Sequence, residues 1–182
     1  IKLSYLFILI LMLVIATISY ENGVSAIAQG DKVYNECGKT QGEAGLAFAY
    51  FQEVKCNLRN TLYLYADNKN DQQKALESIQ TSEDKMYDYL DQAADGLSDK
   101  KALELLQEAR DNIDAYISDV DICTKYVNAG NIDDARKHLK ENGVASANAA
   151  ADSINQIQTR LDKLAVEAQS SFVSAEHRGQ VA

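Results

Sequence analysis

The residues in this chain that could do chemistry are few, and their spacing decides against most kinds. Histidine occurs twice, at His138 and His177, and cysteine three times, at Cys37, Cys56 and Cys123. A di-iron centre inside a helical bundle needs Glu-x-x-His pairs, and neither histidine has a glutamate three residues before it. A covalently attached haem needs Cys-x-x-Cys-His, which is missing. With no nucleophile motif either, the sequence predicts no enzyme, no metal and no cofactor, and both histidines read as exposed helix residues. On a single helix Cys37 and Cys56 would stand about 28 Å apart, too far to bridge. Cys56 and Cys123 fall on diagonal helices with Cys56 off the core face, so free thiols are expected.

What remains is electrostatic. Lys55, Arg59, Asn60 and Tyr63 share one stretch of helix, with Arg59 near 10 Å below the turn that ends it. A guanidinium beside a lysine makes a local positive site suited to bidentate capture of a carboxylate. The competing reading is a salt bridge to one of the many acids nearby. Over the whole chain, 27 acidic residues outweigh 18 basic ones for a net charge of −9, which argues against a nucleic-acid partner.

The elements that hold these residues are helices. The chain has no proline and nine glycines in 182 residues, too little turn chemistry for a sandwich or barrel. Leu3 to Tyr20 forms 18 consecutive uncharged residues, enough for a transmembrane helix over 3–20, with Tyr5 and Tyr20 at its ends and Lys2 marking the inner side. A cleaved signal peptide, with Ala26-Ile27-Ala28 as the processing site, is the alternative. Beyond it, residues 21–182 read as one domain of four helices over about 24–66, 71–96, 99–128 and 132–182. Apolar residues recur at spacings of three and four: Ala44, Ala47, Phe51, Val54 and Leu58 on the first; Ile79, Met86, Leu90 and Ala93 on the second; Leu103, Leu106, Ile113, Ile117, Val120 and Val127 on the third; Ala147, Ala150, Ile154, Ile157 and Leu161 on the fourth. Short loops, with N-caps at Ser98 and Asn131, predict an all-α, antiparallel up-down-up-down four-helix bundle. The outer two helices are the longer pair and are expected to reach toward the bilayer, with a second transmembrane helix after Ala182.

Two further features belong to this reading. A second stripe on the first helix, Tyr34, Gly38, Gln41, Gly45, Phe48, Gln52, Lys55, Arg59 and Leu62, suggests a homodimer through that helix, with Cys37 close to its counterpart; Cys37 also fits the core. Glu83 and Arg110 occupy facing positions of the second and third helices and are expected to pair, fixing register.

An apolar anchor, an acidic four-helix bundle and a long returning helix together resemble the sensory module of methyl-accepting chemotaxis proteins. Leu58-Arg59-Asn60-Thr61-Leu62 looks like the ligand-binding stretch of the serine and aspartate receptors, and Tyr126 to Ala135 resembles the turn between the third and fourth helices of the wider four-helix-bundle sensor family. The resemblance implies an extracytoplasmic or periplasmic domain at the inner membrane. It also implies a parallel homodimer, a small-molecule ligand bound near the distal tip between subunits, and signalling by displacement of the last helix toward the membrane. Arg59 carries over as the partner for a ligand carboxylate. Where further arginines follow in the amino-acid receptors, this chain continues Tyr63-Leu64-Tyr65-Ala66, an aromatic tip suited to a different small molecule. A histidine kinase or cyclase could carry the same module, and cleavage near Ala28 would instead leave a secreted helical interaction protein.

Overall fold

The computed structural model describes residues 2–180, which are helical almost throughout, with no strand among them. Lys2, Tyr5 and His177 lie outside the residues whose side chains are described. The chain divides into two compact units, residues 1–38 with 162–182, and residues 39–161.

In the first unit, α1 (Lys2–Lys32) carries the apolar run, and Ile10 through Ile15 and Ile18 are all exposed. A helix that offers water no polar face belongs in another solvent, and this one is long and apolar enough to cross a bilayer. Thr17 satisfies its hydroxyl internally by donating to the Leu13 carbonyl at 2.8 Å. A π-helical turn, Val33–Lys39, follows and contains the buried Cys37. Burial is the core reading of that cysteine, and a thiol only 6% exposed is poorly placed for cross-linking.

The second unit is a four-helix bundle. Its first member is α2 (Thr40–Arg59) with a π-helical turn at Asn60–Leu64; α3 (Lys69–Gly96) and α4 (Lys100–Asn128) follow. The last member is α5 (Ile132–His138), a π turn at Leu139–Gly143, and the start of α6 (Val144–Gln180). Side-chain pairs fix the antiparallel order. Tyr50 stacks on Tyr89 with ring centres 5.8 Å apart, the Tyr87 hydroxyl donates to Asp114 at 2.6 Å, and Asn112 donates to Ser153 at 2.6 Å. Between the parallel α2 and α4, Phe51 meets Tyr116 edge-on at 5.4 Å. Phe51, Leu58, Leu62, Met86, Leu90, Ile113 and Ile157 are fully buried, each worth roughly 1.5–3 kcal/mol of transfer free energy.

On α4 the buried face differs from the expected one. Ala102, Ala109, Tyr116 and Cys123 alternate with Leu106, Ile113, Val120 and Val127 on the inside, while Leu103 is exposed and Ile117 half-buried. Small residues let α4 approach its neighbours closely, and that outweighs the larger apolar surface of Leu103. Asp99, not Ser98, caps α4: its Oδ1 accepts from the Ala102 amide at 2.7 Å. The same carboxylate takes Arg160 in a two-pronged pair at 3.1 and 2.6 Å, and this pairing holds Asp99 below its usual pKa. Asn131 precedes α5 without a side-chain cap bond; α4 instead ends on Gly130 at φ 79°, with Asn131 N–H donating to Tyr126 O at 2.8 Å.

Glu83 and Arg110 do not pair. Arg110 bonds Asp91 at 2.5 Å and lies over the Tyr87 ring, whose hydroxyl holds Asp114. Both contacts put the pivot of the α3–α4 hairpin near Lys100 rather than Leu97, which moves Arg110 two turns, about 12 Å, from Glu83. Glu83 is left buried with Oε1 unpartnered, facing Asp121 of α4 and Asp84 and Tyr87 of its own helix.

Burial, reinforced by Asp121 and Asp84, raises the Glu83 carboxyl to about 7. Because the folded pKa is the higher one, the contribution to stability is complete below about pH 4.5 and is lost as pH rises through 7. Glu83→Gln should therefore gain on the parent by about 2 kcal/mol between pH 5 and pH 8 in urea unfolding, and a pH-independent difference would contradict the assignment. At the other end of α3, a Cβ on Gly96 would collide with the buried Thr40 hydroxyl. Gly96→Ala should cost about 1–2 kcal/mol alone and be neutral or stabilising in a Thr40→Ala background, measured as a double-mutant cycle.

Candidate ligand-binding site

The π turns at Asn60–Leu64 and Leu139–Gly143 lie on facing helices near the end of the bundle formed by the α2–α3 and α4–α5 turns. A π turn carries one residue more than an α turn, which widens the helix and frees a backbone carbonyl for another partner. In the first, Tyr65 N–H reaches back to Asn60 O at 2.8 Å. The Leu62 carbonyl takes Arg136 Nε at 2.9 Å, and the Thr61 carbonyl takes the buried Gln72 amide at 3.4 Å. Arg136 also lies over the Tyr63 ring, 5.2 Å from its centre, and pairs with Asp133 at 2.9 Å.

The second π turn is held from α4 by one carboxylate. Asp119 Oδ1 is 2.8 Å from His138 Nε2, just before the turn, and Oδ2 accepts from Ser146 Oγ at 2.6 Å, just after it. Asn142 approaches His138 Nδ1 at 3.3 Å. Gly143 is buried, and a Cβ there would come within 2.7 Å of Leu139 Cδ1, so the turn closes on itself. Behind it Cys123 donates to Ala135 O at 3.4 Å, and burial together with Asp119 pushes its thiol up to about 11.

Between the two turns lies a cavity of about 310 Å³ lined by Lys55, Arg59 and Tyr63 of the first helix, Tyr116 of α4, and Leu139, Lys140, Gly143, Val144, Ala147 and Asn148 of the last. Three of these are cations and none is an acid. Among the described residues neither Arg59 nor Lys140 has an ion-pair partner, and Lys55 rests over the Phe51 ring at 5.4 Å. Burial first, and the Arg59 charge second, hold the Lys55 ammonium below its usual pKa. Burial also raises the Tyr116 hydroxyl, which stays neutral and available as a donor. Lower in the bundle, a second cavity of about 300 Å³ between α2 and α6 is lined by Gly45, Phe48, Ala49, Gln52, Ala151, Ile154, Asn155 and Gln158, without a charge.

Of the four residues singled out from sequence, Lys55, Arg59 and Tyr63 come together here and Asn60 does not; its amide makes only a long contact to Cys56 Sγ at 3.7 Å. Arg59, placed by its stripe at a subunit interface, faces the last helix of its own chain, and Phe48 of the same stripe is buried. Lys140 and Asn148 were not legible as site residues. Their one signal is Asn142-Gly143, the interruption that marks the π turn.

A membrane-competent helix joined in sequence to a four-helix bundle is the organisation of a sensory signalling module. The chain belongs to the family described as the four helix bundle sensory module for signal transduction, whose profile matches residues 1–172. Comparison with curated proteins and with solved structures finds no match.

Arg136 is the tie that shapes the upper wall of the cavity. Arg136→Ala should leave the Leu62 carbonyl without its donor, cost about 1–2 kcal/mol, and speed amide exchange across Asn60–Leu64 more than across α3. Uniform protection in the variant would show that the π turn stands without it.

Proposed function

We propose that the chain is the extracytoplasmic ligand-sensing domain of a transmembrane chemoreceptor, and that it signals through displacement of its last helix. The observation that carries this is the cavity itself. Its cations come from the first and last helices of the bundle, so a carboxylate held between Arg59 and Lys140 acts on both at once. The last helix leaves the site through a π turn, a segment able to change length by one residue without breaking the helix. A chemotaxis output, the inner membrane as location and a periplasmic setting belong to the same proposal, as does a homodimer through the first helix. Supporting the homodimer, Gly38, Gly42, Gly45 and Leu46 are exposed, and a Cβ at Gly42 or Gly45 would meet nothing.

The test is a thermal-shift screen of small organic acids, amino acids and amines on the full chain in lipid nanodiscs. A hit that binds this cavity should lose at least tenfold in affinity with Arg59→Ala and strongly with Arg59→Lys, while the melting midpoint of the empty protein stays within about 1 °C. A hit indifferent to Arg59 would remove the residue from the site.

A further inference from the structure

Granting that the cavity is the ligand site, its charge inventory also selects the ligand. Lys55 and Arg59 line the cavity from the first helix and Lys140 from the last, whose Leu139, Val144 and Ala147 add apolar lining beside it. The lining offers an ammonium group no carboxylate: its acceptors are the Tyr63 and Tyr116 hydroxyls, the Asn148 amide oxygen and backbone carbonyls, all neutral. Lys55 is half-buried while Arg59 and Lys140 are exposed; neutral acceptors do not offset three cations, whereas each added anionic group is attracted by all three. An α-amino acid would bring its ammonium group into that field, as a like charge beside Arg59 or Lys140.

We infer that the ligand is an acid with at least two negative charges and no amine, bound with one anionic group at Lys55 and Arg59, the other at Lys140, and its short hydrocarbon spacer against Leu139, Val144 and Ala147. Cations supplied from two helices, with apolar lining beside them, fit a two-headed anion better than a single carboxylate, which leaves one helix's charge unneutralised. The volume of about 310 Å³ accommodates a four- to six-carbon diacid. Both rings can contribute: Tyr116 is buried and keeps its proton, and Tyr63 is held at the rim by Arg136.

The experiment is isothermal titration of the full chain in nanodiscs at fixed ionic strength. The probes are succinate, glutarate, citrate and inorganic phosphate, against L-glutamate, which is glutarate with an α-ammonium, and valerate, which keeps one carboxylate. The expected result is that at least one of succinate, glutarate and citrate binds tenfold or more tighter than inorganic phosphate, L-glutamate and valerate, and that Lys140→Gln and Arg59→Ala each weaken it at least tenfold; phosphate binding tightest would overturn the two-headed reading. L-glutamate binding as tightly as glutarate, with that affinity lost in Arg59→Ala, would overturn the ligand class and leave the cavity standing as the site. Valerate matching glutarate would overturn the two-headed reading alone. If none of the probes binds, or if binding ignores both substitutions, the cavity is not the site and this inference falls with it.

Discussion

One guanidinium sets the geometry on which the site depends. Arg136, at the start of the last helix of the bundle, donates to a backbone carbonyl of the first helix and carries the Tyr63 ring. That carbonyl is free because Leu62 sits in a π turn, and the turn persists because Arg136 and Gln72 satisfy what it exposes. Remove the π geometry and Leu62 would return its carbonyl to the helix, while the residues above it would rotate by roughly one position. Tyr63 and Leu64 would then shift relative to Lys55 and Arg59, which precede the turn. The candidate site is thus tied to a hydrogen-bonded piece of helix rather than to a loop.

The two ends of the bundle differ in kind. At one end Asp99 joins a helix cap to a bidentate arginine pair, and Thr40 fills the space that Gly96 leaves open. Those contacts are short and join helices distant in sequence, as expected of a fixed point. At the other end, the Asp119 carboxylate brackets a π turn from both sides, and among the described residues no acid lines the cavity that Lys55, Arg59 and Lys140 share. Like charges gathered without an anion raise the free energy of the empty state, so a bound anion stabilises this end selectively. Such a difference between ends gives a ligand something to act on, because a site changes a protein's populations only where its contacts differ between states.

Much of the fold could be read from spacing alone. The three-and-four repeat on α2, with Ala44, Ala47, Phe51, Val54 and Leu58, is the buried face found in the structure. On α4 the same repeat misled, since Leu103 and Ile117 look more core-like than Ala102 and Tyr116. Hydrophobicity ranks side chains by transfer free energy, whereas close helix packing also rewards small ones. The Glu83–Arg110 pairing failed for a geometric reason: counting from Leu97 misplaces the pivot of a hairpin whose second helix begins at Lys100. Of the site, the sequence showed the cationic half on the first helix. The opposing half depended on a π turn at Leu139–Gly143, whose extra residue shifts Lys140 relative to a straight helical projection.

The most direct measurement of the account is a crystal structure of the protein grown with a saturating diacid. Density is expected for one carboxylate within about 3 Å of the Arg59 guanidinium and for the other at the Lys140 ammonium, with both π turns retained. An anion bound between Arg59 residues of two subunits, with the cavity between the first and last helices of each bundle empty, would contradict it.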